Sequence, residues 1–153
     1  MNIDIMEETA KNLYFLHQEL KKLDESLYEN KKQYSDKIAI KELLEKYGCE
    51  YFPNEFQVIH RDIRPNNIIV NKNGIHFIDF DFVAYGDLLF EIGSSAMLIS
   101  GFEIEKAKKF VKIYNSYLER KYKNEEIFKN LLAYYVQSDF QIKLKIKIVL
   151  FKA

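Results

Sequence analysis

The sequence is poor in the features that staple, export or strongly polarise a chain. One cysteine, Cys49, stands among 153 residues, so no internal disulfide can form, and a reducing, cytoplasmic compartment is the default. Cys49 itself reads as a small buried hydrophobe rather than a nucleophile. Neither sign of charge prevails, with 23 basic Lys and Arg against 23 acidic Asp and Glu. Nucleic acid selects for a basic face, and this balance argues against such a partner. No apolar run approaches the ~20 residues of a membrane span. The start, MNIDIMEE, is acidic where a signal peptide needs a basic stretch and then an apolar one. Repeats, low-complexity tracts and dividing linkers are also missing, which leaves a single domain over residues 1–153. Hydrophobic residues make up 48% of it, enough to build a core.

What is present is mostly helical pattern around a short strand-rich centre. Met6, Ala10, Leu13, His17 and Leu20 recur at spacings of three and four, predicting one buried face of a helix over 4–23. Asp4 followed by Glu7 resembles a capping box. On that face His17 reads as a half-buried histidine with one hydrogen bond. Ser35 or Asp36 caps a second helix that ends near Tyr47, with Gly48 just past it. FQVIH and NIIVN read as short buried strands. Asn73-Gly74 is a turn that accepts positive φ, and IHFIDFDFV is the returning strand, so 67–83 forms a hairpin. Further helices are expected near 88–99, 103–121 and 124–140. The tail QIKLKIKIVLF alternates like a strand, although its position suggests a continuing helix. The expected class is α+β, mostly helical.

The stretch VIHRDIRPNNIIV gathers an acid, a histidine, arginines and two amides at the entrance of that hairpin. Asp62 and Asn67 bracket a short loop, and Asp79 ends the apolar run IHFI on the return strand. A hairpin brings the start of one strand near the end of its partner, so Asn67 and Asp79 can converge. A carboxylate and an amide oxygen are hard ligands suited to Mg²⁺, which takes few protein ligands and completes its shell with water and phosphate oxygens. Asp62 would lie beside such a cation and accept a proton from an attacking hydroxyl. Read blandly, the same three residues only cap turns around a hairpin.

HRDIRPNN, FIDFD and YGDLLFEIG, in this order and at these separations, resemble the aminoglycoside phosphotransferase and choline kinase family, part of the protein-kinase-like fold. His60, Asp62 and Asn67 match its His-x-Asp-x-x-x-x-Asn catalytic loop. Ile78, Asp79 and Phe80 match its Ile-Asp-Phe, and Gly86, Asp87 and Ile92 match part of its Gly-Asp-Pro-x-x-Asp-Leu stretch. The resemblance implies Asp62 as catalytic base, with His60 and Arg64 completing the catalytic group and His60 acting as a brace. It implies Asn67 and Asp79 as the ligands of Mg²⁺ and hence of the bound nucleotide. Arg61 stands where the family often has Gly, Arg64 and Asn66 where His and Gly are common, and Leu88 where Pro is usual. Glu91 replaces the Asp that hydrogen-bonds the catalytic loop, keeping the carboxylate but moving it one methylene out.

The resemblance covers the large, C-terminal lobe of a two-lobed fold. The small lobe supplies a glycine-rich loop and a lysine for the phosphates. Here the first glycine is Gly48, and Lys41 in KIAIKELL reads as a solvated helix lysine. The expectation is therefore a truncated kinase lobe without its nucleotide-binding lobe. Completed by a small-lobe polypeptide, it would catalyse ATP- and Mg²⁺-dependent phosphorylation of a small-molecule hydroxyl. Alone it would bind ATP poorly and be inactive, since cooperating catalytic parts are strongly non-additive. The alternative is an inactive remnant serving as an interaction module. The first helix and the strands FQVIH and NIIV should lose cover, which predicts a homodimer or a bound small lobe. Asp139 and residues 103–105 are acidic candidates for an acceptor pocket.

Overall fold

A computed structural model of the protein describes residues 3–28 and 55–119. The expected helices over 36–47 and 124–140, the tail, Lys41, Cys49 and Asp139 lie outside the described residues. Those described form three α-helices and two small antiparallel sheets, an α+β arrangement. Helix α1 spans Ile3–Leu20. Its predicted face is the buried one, since Met6, Ala10, Leu13, His17 and Leu20 are all buried, with Thr9 beside them. Asp4 lies within the first turn rather than ahead of it.

Strand β1, Phe56–Ile59, does not pair with the hairpin that follows it. Its partner is β4, Ala84–Asp87, in the register Phe56 to Asp87 and Ile59 to Ala84. The sequence pattern does not announce β4, because AYGD has neither β-branched residues nor alternation. It is a strand because β1 supplies the ladder. Strands β2, Ile68–Asn71, and β3, Gly74–Phe77, form the expected hairpin, with Asn71 opposite Gly74 at φ 114°. The return strand is shorter than expected. It stops at Phe77, and Asp79 takes φ 66°, which leaves the ladder.

Strand β4 runs directly into α2, whose span Leu88–Ile99 is the expected one. Asp87 is the hinge between them, its Oδ1 accepting the N–H of Leu89 at 2.9 Å and of Phe90 at 3.3 Å. That satisfies donors a helix start leaves open. The Leu88 N–H reaches the Glu55 carbonyl at 2.9 Å, so the start of α2 is fastened beside the start of β1. Helix α3, Ile104–Tyr117, buries Ala107, Phe110, Val111 and Tyr114 against α1 and α2. The main core cluster is drawn from all three helices, β1 and the loop after it. Each large side chain buried there contributes ~1.5–3 kcal/mol. Surface pairs such as Lys22–Glu19 and Lys106–Glu103 contribute ~0–1 kcal/mol, so packing holds this fold.

The expectation of lost cover is met unevenly. Val58 and Ile59 on β1 are buried, Val58 against Leu20 and Val83. Ile69 and Val70 on β2 are exposed at 46% and 50%. No helix among the described residues is long and apolar enough to cross a membrane.

Candidate active site

The loop leaving β1 is organised from below by a buried carboxylate. Glu91 sits one turn into α2, and β1 and α2 start side by side, so its side chain comes up beneath the end of β1. There its Oε2 accepts the His60 N–H at 3.1 Å, and its Oε1 accepts the Arg61 N–H. Arg61 takes φ 71°, a left-handed conformation that costs a non-glycine residue ~1–2 kcal/mol. The carboxylate is what holds it there. Burial pushes the Glu91 carboxyl up. The hydrogen bond and charge of His17, together with the Arg61 and His60 amides, outweigh that, and it is held below its usual 4.5.

His60 is buried and braces the loop from two sides. Its Nδ1 accepts the Asp62 N–H at 3.3 Å, so Nε2 carries the proton and donates to the Ile78 carbonyl at 3.1 Å. The ring also packs on Phe80, with centroids 4.5 Å apart. The Ile78 N–H in turn donates to the Asn67 carbonyl at 3.0 Å. The residue before Asp79 is thus pinned on one side by His60 and on the other by Asn67.

Pro65–Asn67 forms a single 3₁₀ turn, closed by the Asn67 N–H on the Arg64 carbonyl at 2.9 Å. It turns the buried Asn67 side chain back on Asp62, where Nδ2 donates to the main-chain carbonyl at 2.9 Å and to Oδ2 at 2.7 Å. Arg64 Nη2 reaches the same Oδ2 at 2.9 Å from a half-exposed position. Among the described residues, the hydrogen-bond and ion-pair partners of the Asp62 carboxylate both fall on Oδ2. His60, Asp62, Arg64 and Asn67 therefore form one connected group, with Asp79 joined to it through the Ile78 peptide. Asp79 itself is exposed, and Asp81 stands exposed two residues on.

Asn67 and Asp79 are the residues here that could hold a metal ion. Asn67 spends its NH₂ on Asp62, which turns its oxygen to face elsewhere, and Asp79 presents a carboxylate at the exit of β3. Among the described residues no group of three or more His, Cys, Asp or Glu side chains gathers as a metal site.

With this geometry in view, comparison with known proteins is direct. The profile of the phosphotransferase enzyme family (APH) matches residues 5–125, more than half of the chain. The chain belongs to that family. A relative, the protein LicA homolog of Mycoplasma capricolum subsp. capricolum, is 36% identical over 77 residues. That stretch is 49% of this chain and 31% of the relative, so the chain spans well under two thirds of that protein's length.

Sequence reasoning missed the depth of the site. His17 is fully buried rather than half-buried, and it has two side-chain partners, Glu91 Oε2 at 2.6 Å and the Tyr114 hydroxyl at 2.7 Å. Gln57 adds a bond from Nε2 to the His17 carbonyl at 3.1 Å. The signal was a polar ring on an otherwise apolar helix face, since a group buried there needs partners. The acidic candidates at 103–105 are engaged on the surface, Glu103 with Lys106 at 2.7 Å and Glu105 with Lys108 at 2.9 Å.

Proposed function

We propose that this chain is the catalytic lobe of an ATP- and Mg²⁺-dependent phosphotransferase acting on a small-molecule hydroxyl, working with a small lobe that holds the nucleotide. The observation that carries the reading is the Asp62–Asn67 side-chain bond at 2.7 Å. It sets a base candidate beside a metal-ligand candidate, with Asp79 tied in through Ile78. Asn67 and Asp79 would hold Mg²⁺. When bound, the ion neutralises charge on the phosphates being separated.

Asp62 accepts the proton of the acceptor hydroxyl as the oxygen attacks phosphorus. With its partners on Oδ2, Oδ1 is the oxygen for that task. Arg64 and Asn67 fix the carboxylate's orientation, which matters because phosphoryl transfer is chiefly positioning and charge stabilisation. His60 keeps the loop and the Ile78 peptide in register. Residues 1–47 contain no glycine, so that stretch carries no glycine-rich phosphate loop. The lobe alone is expected to turn over ATP negligibly.

Titration with Mn²⁺, followed by paramagnetic broadening, tests the metal site. Broadening should centre on Asn67 and Asp79 and vanish in Asp79→Ala. Broadening elsewhere, or surviving that substitution, overturns the assignment. Robust phosphorylation of a small alcohol by the chain alone, lost in Asp62→Ala, would show that the small lobe is dispensable. A second reading, a non-catalytic interaction module, is favoured by the exposed apolar residues of the hairpin, Ile69 and Val70, and by Phe82 near it. Absence of Mn²⁺ binding together with a stable protein complex through that face would select it.

A further inference from the structure

His17 lies outside the chemistry above, yet its side chain is bonded from two other helices. Its ring is fully buried in an interior where an unsatisfied polar group costs ~1–3 kcal/mol. Each element packed around it offers a partner. Tyr114 on α3 meets Nδ1 at 2.7 Å, Glu91 on α2 meets Nε2 at 2.6 Å, and Gln57 on β1 donates to its carbonyl at 3.1 Å. Glu91 is the member that reaches the site. Its carboxylate receives His17, the His60 amide and the Arg61 amide together. A glutamate carboxylate turns about the torsion that joins it to the rest of its side chain. Its carboxylate can serve both amides only if something sets that torsion. The shared atom identifies what does, because Oε2 is bound by His17 on one side and by the His60 amide on the other.

We infer that His17 is a positioning residue. Backed by the Tyr114 hydroxyl, it holds the Glu91 carboxylate in the orientation that receives both loop amides. It thereby sets the left-handed turn at Arg61 that presents Asp62. Its meaning for catalysis rests on the reading of Asp62 as the base. The geometric claim does not. A buried pair that merely ties α1 to α2 would predict looser helix packing on its loss, with the loop unchanged.

The test is the amide spectrum and hydrogen exchange of the full chain as wild type, Tyr114→Phe and His17→Gln. Tyr114→Phe removes one oxygen and keeps the packed ring. The His60 and Arg61 amide resonances should move upfield and exchange several-fold faster in Tyr114→Phe, and more so in His17→Gln, while hairpin amides from Ile69 to Gly74 stay in place. If His17→Gln does not fold, Tyr114→Phe alone decides. A folded variant of either kind with both loop amides at their wild-type positions and rates overturns the inference. Mn²⁺ binding at Asn67 and Asp79, measured on the same samples, keeps the two readings apart. Moved amides without metal binding leave the positioning role standing and remove the phosphotransfer reading, and unmoved amides with metal binding do the reverse.

Discussion

The Glu91 side chain on α2 receives the backbone N–H of Arg61, thirty positions earlier in the chain. One carboxylate, anchored in the core by His17, thus stabilises a left-handed residue in the loop that carries Asp62. Local sequence around Arg61 offers nothing that would favour φ 71° in an arginine. The conformation is supported from α2, by the carboxylate that receives the His60 and Arg61 amides.

That gives the fold a defined response to acid. The folded Glu91 carboxyl ionises below its usual 4.5. Its stabilisation is therefore fully present above that value and is lost as pH falls through the lower, folded value, where the native state must take up a proton. Glu91→Gln should lower stability near neutral pH by on the order of 3 kcal/mol, the cost of breaking a buried pair. The gap between the two proteins should narrow below about pH 4.5, where the Glu91 contribution is lost. Urea denaturation at several pH values measures it. A gap that does not narrow below about pH 4.5 would mean Glu91 is not ionised in the fold.

Helix α2 is terminated as firmly as it is started. The Phe102 N–H reaches the Met97 carbonyl at 2.9 Å and the Gly101 N–H reaches that of Leu98 at 3.3 Å, a Schellman closure with Gly101 at φ 62°. A Cβ at Gly101 would meet nothing within 4 Å, so only backbone strain opposes a side chain there. Gly101→Ala should cost about 1 kcal/mol and Gly101→Asn clearly less, because asparagine tolerates the left-handed region. Equal losses would place the cost in packing instead.

Much of this was legible in the sequence. The face of α1 from Met6 to Leu20, the hairpin turn at Asn73-Gly74 and the span of α2 follow from periodicity, turn chemistry and capping, all of which act over a few residues. The three motifs named the family because their spacing survives any drift in the residues between them. Strand β4 was not legible, since AYGD becomes a strand only through β1. The truncation of the return strand at Phe77 was hidden because the apolar alternation of IHFIDFDFV continues past the point where Asp79 leaves the ladder. The partners of His17 were hidden for the same reason, as they lie on three other elements.

Asp62 has two side-chain partners of different worth. Arg64 is half exposed, and such an ion pair contributes ~0–1 kcal/mol. Asn67 is buried and makes two bonds to Asp62. Its removal strands groups at ~1–3 kcal/mol. Arg64→Ala should therefore leave the denaturation midpoint nearly unchanged, whereas Asn67→Ala should lower it clearly. The reverse order would mean that the arginine, not the amide, orders the loop.

The hairpin end of the molecule carries its own expectation. Ile69, Val70, Ile78, Phe80 and Phe82 all lie exposed within fourteen positions, Phe82 at 55%. Apolar patches beyond a few hundred Å² are uncommon on soluble monomers and usually mark partner surfaces. Lys and Arg balance Asp and Glu at 23 each, so long-range repulsion does little to keep copies apart. The purified chain should self-associate with rising concentration in sedimentation, most simply as a two-fold dimer, unless a small-lobe partner occupies the same face. Ile69→Lys combined with Val70→Glu should shift it toward monomer. Both side chains are already solvent-facing, so the fold should lose little stability. A wild-type chain that stays monomeric at every concentration and copurifies with nothing would show that this face tolerates water, and would remove the surface argument for a missing partner.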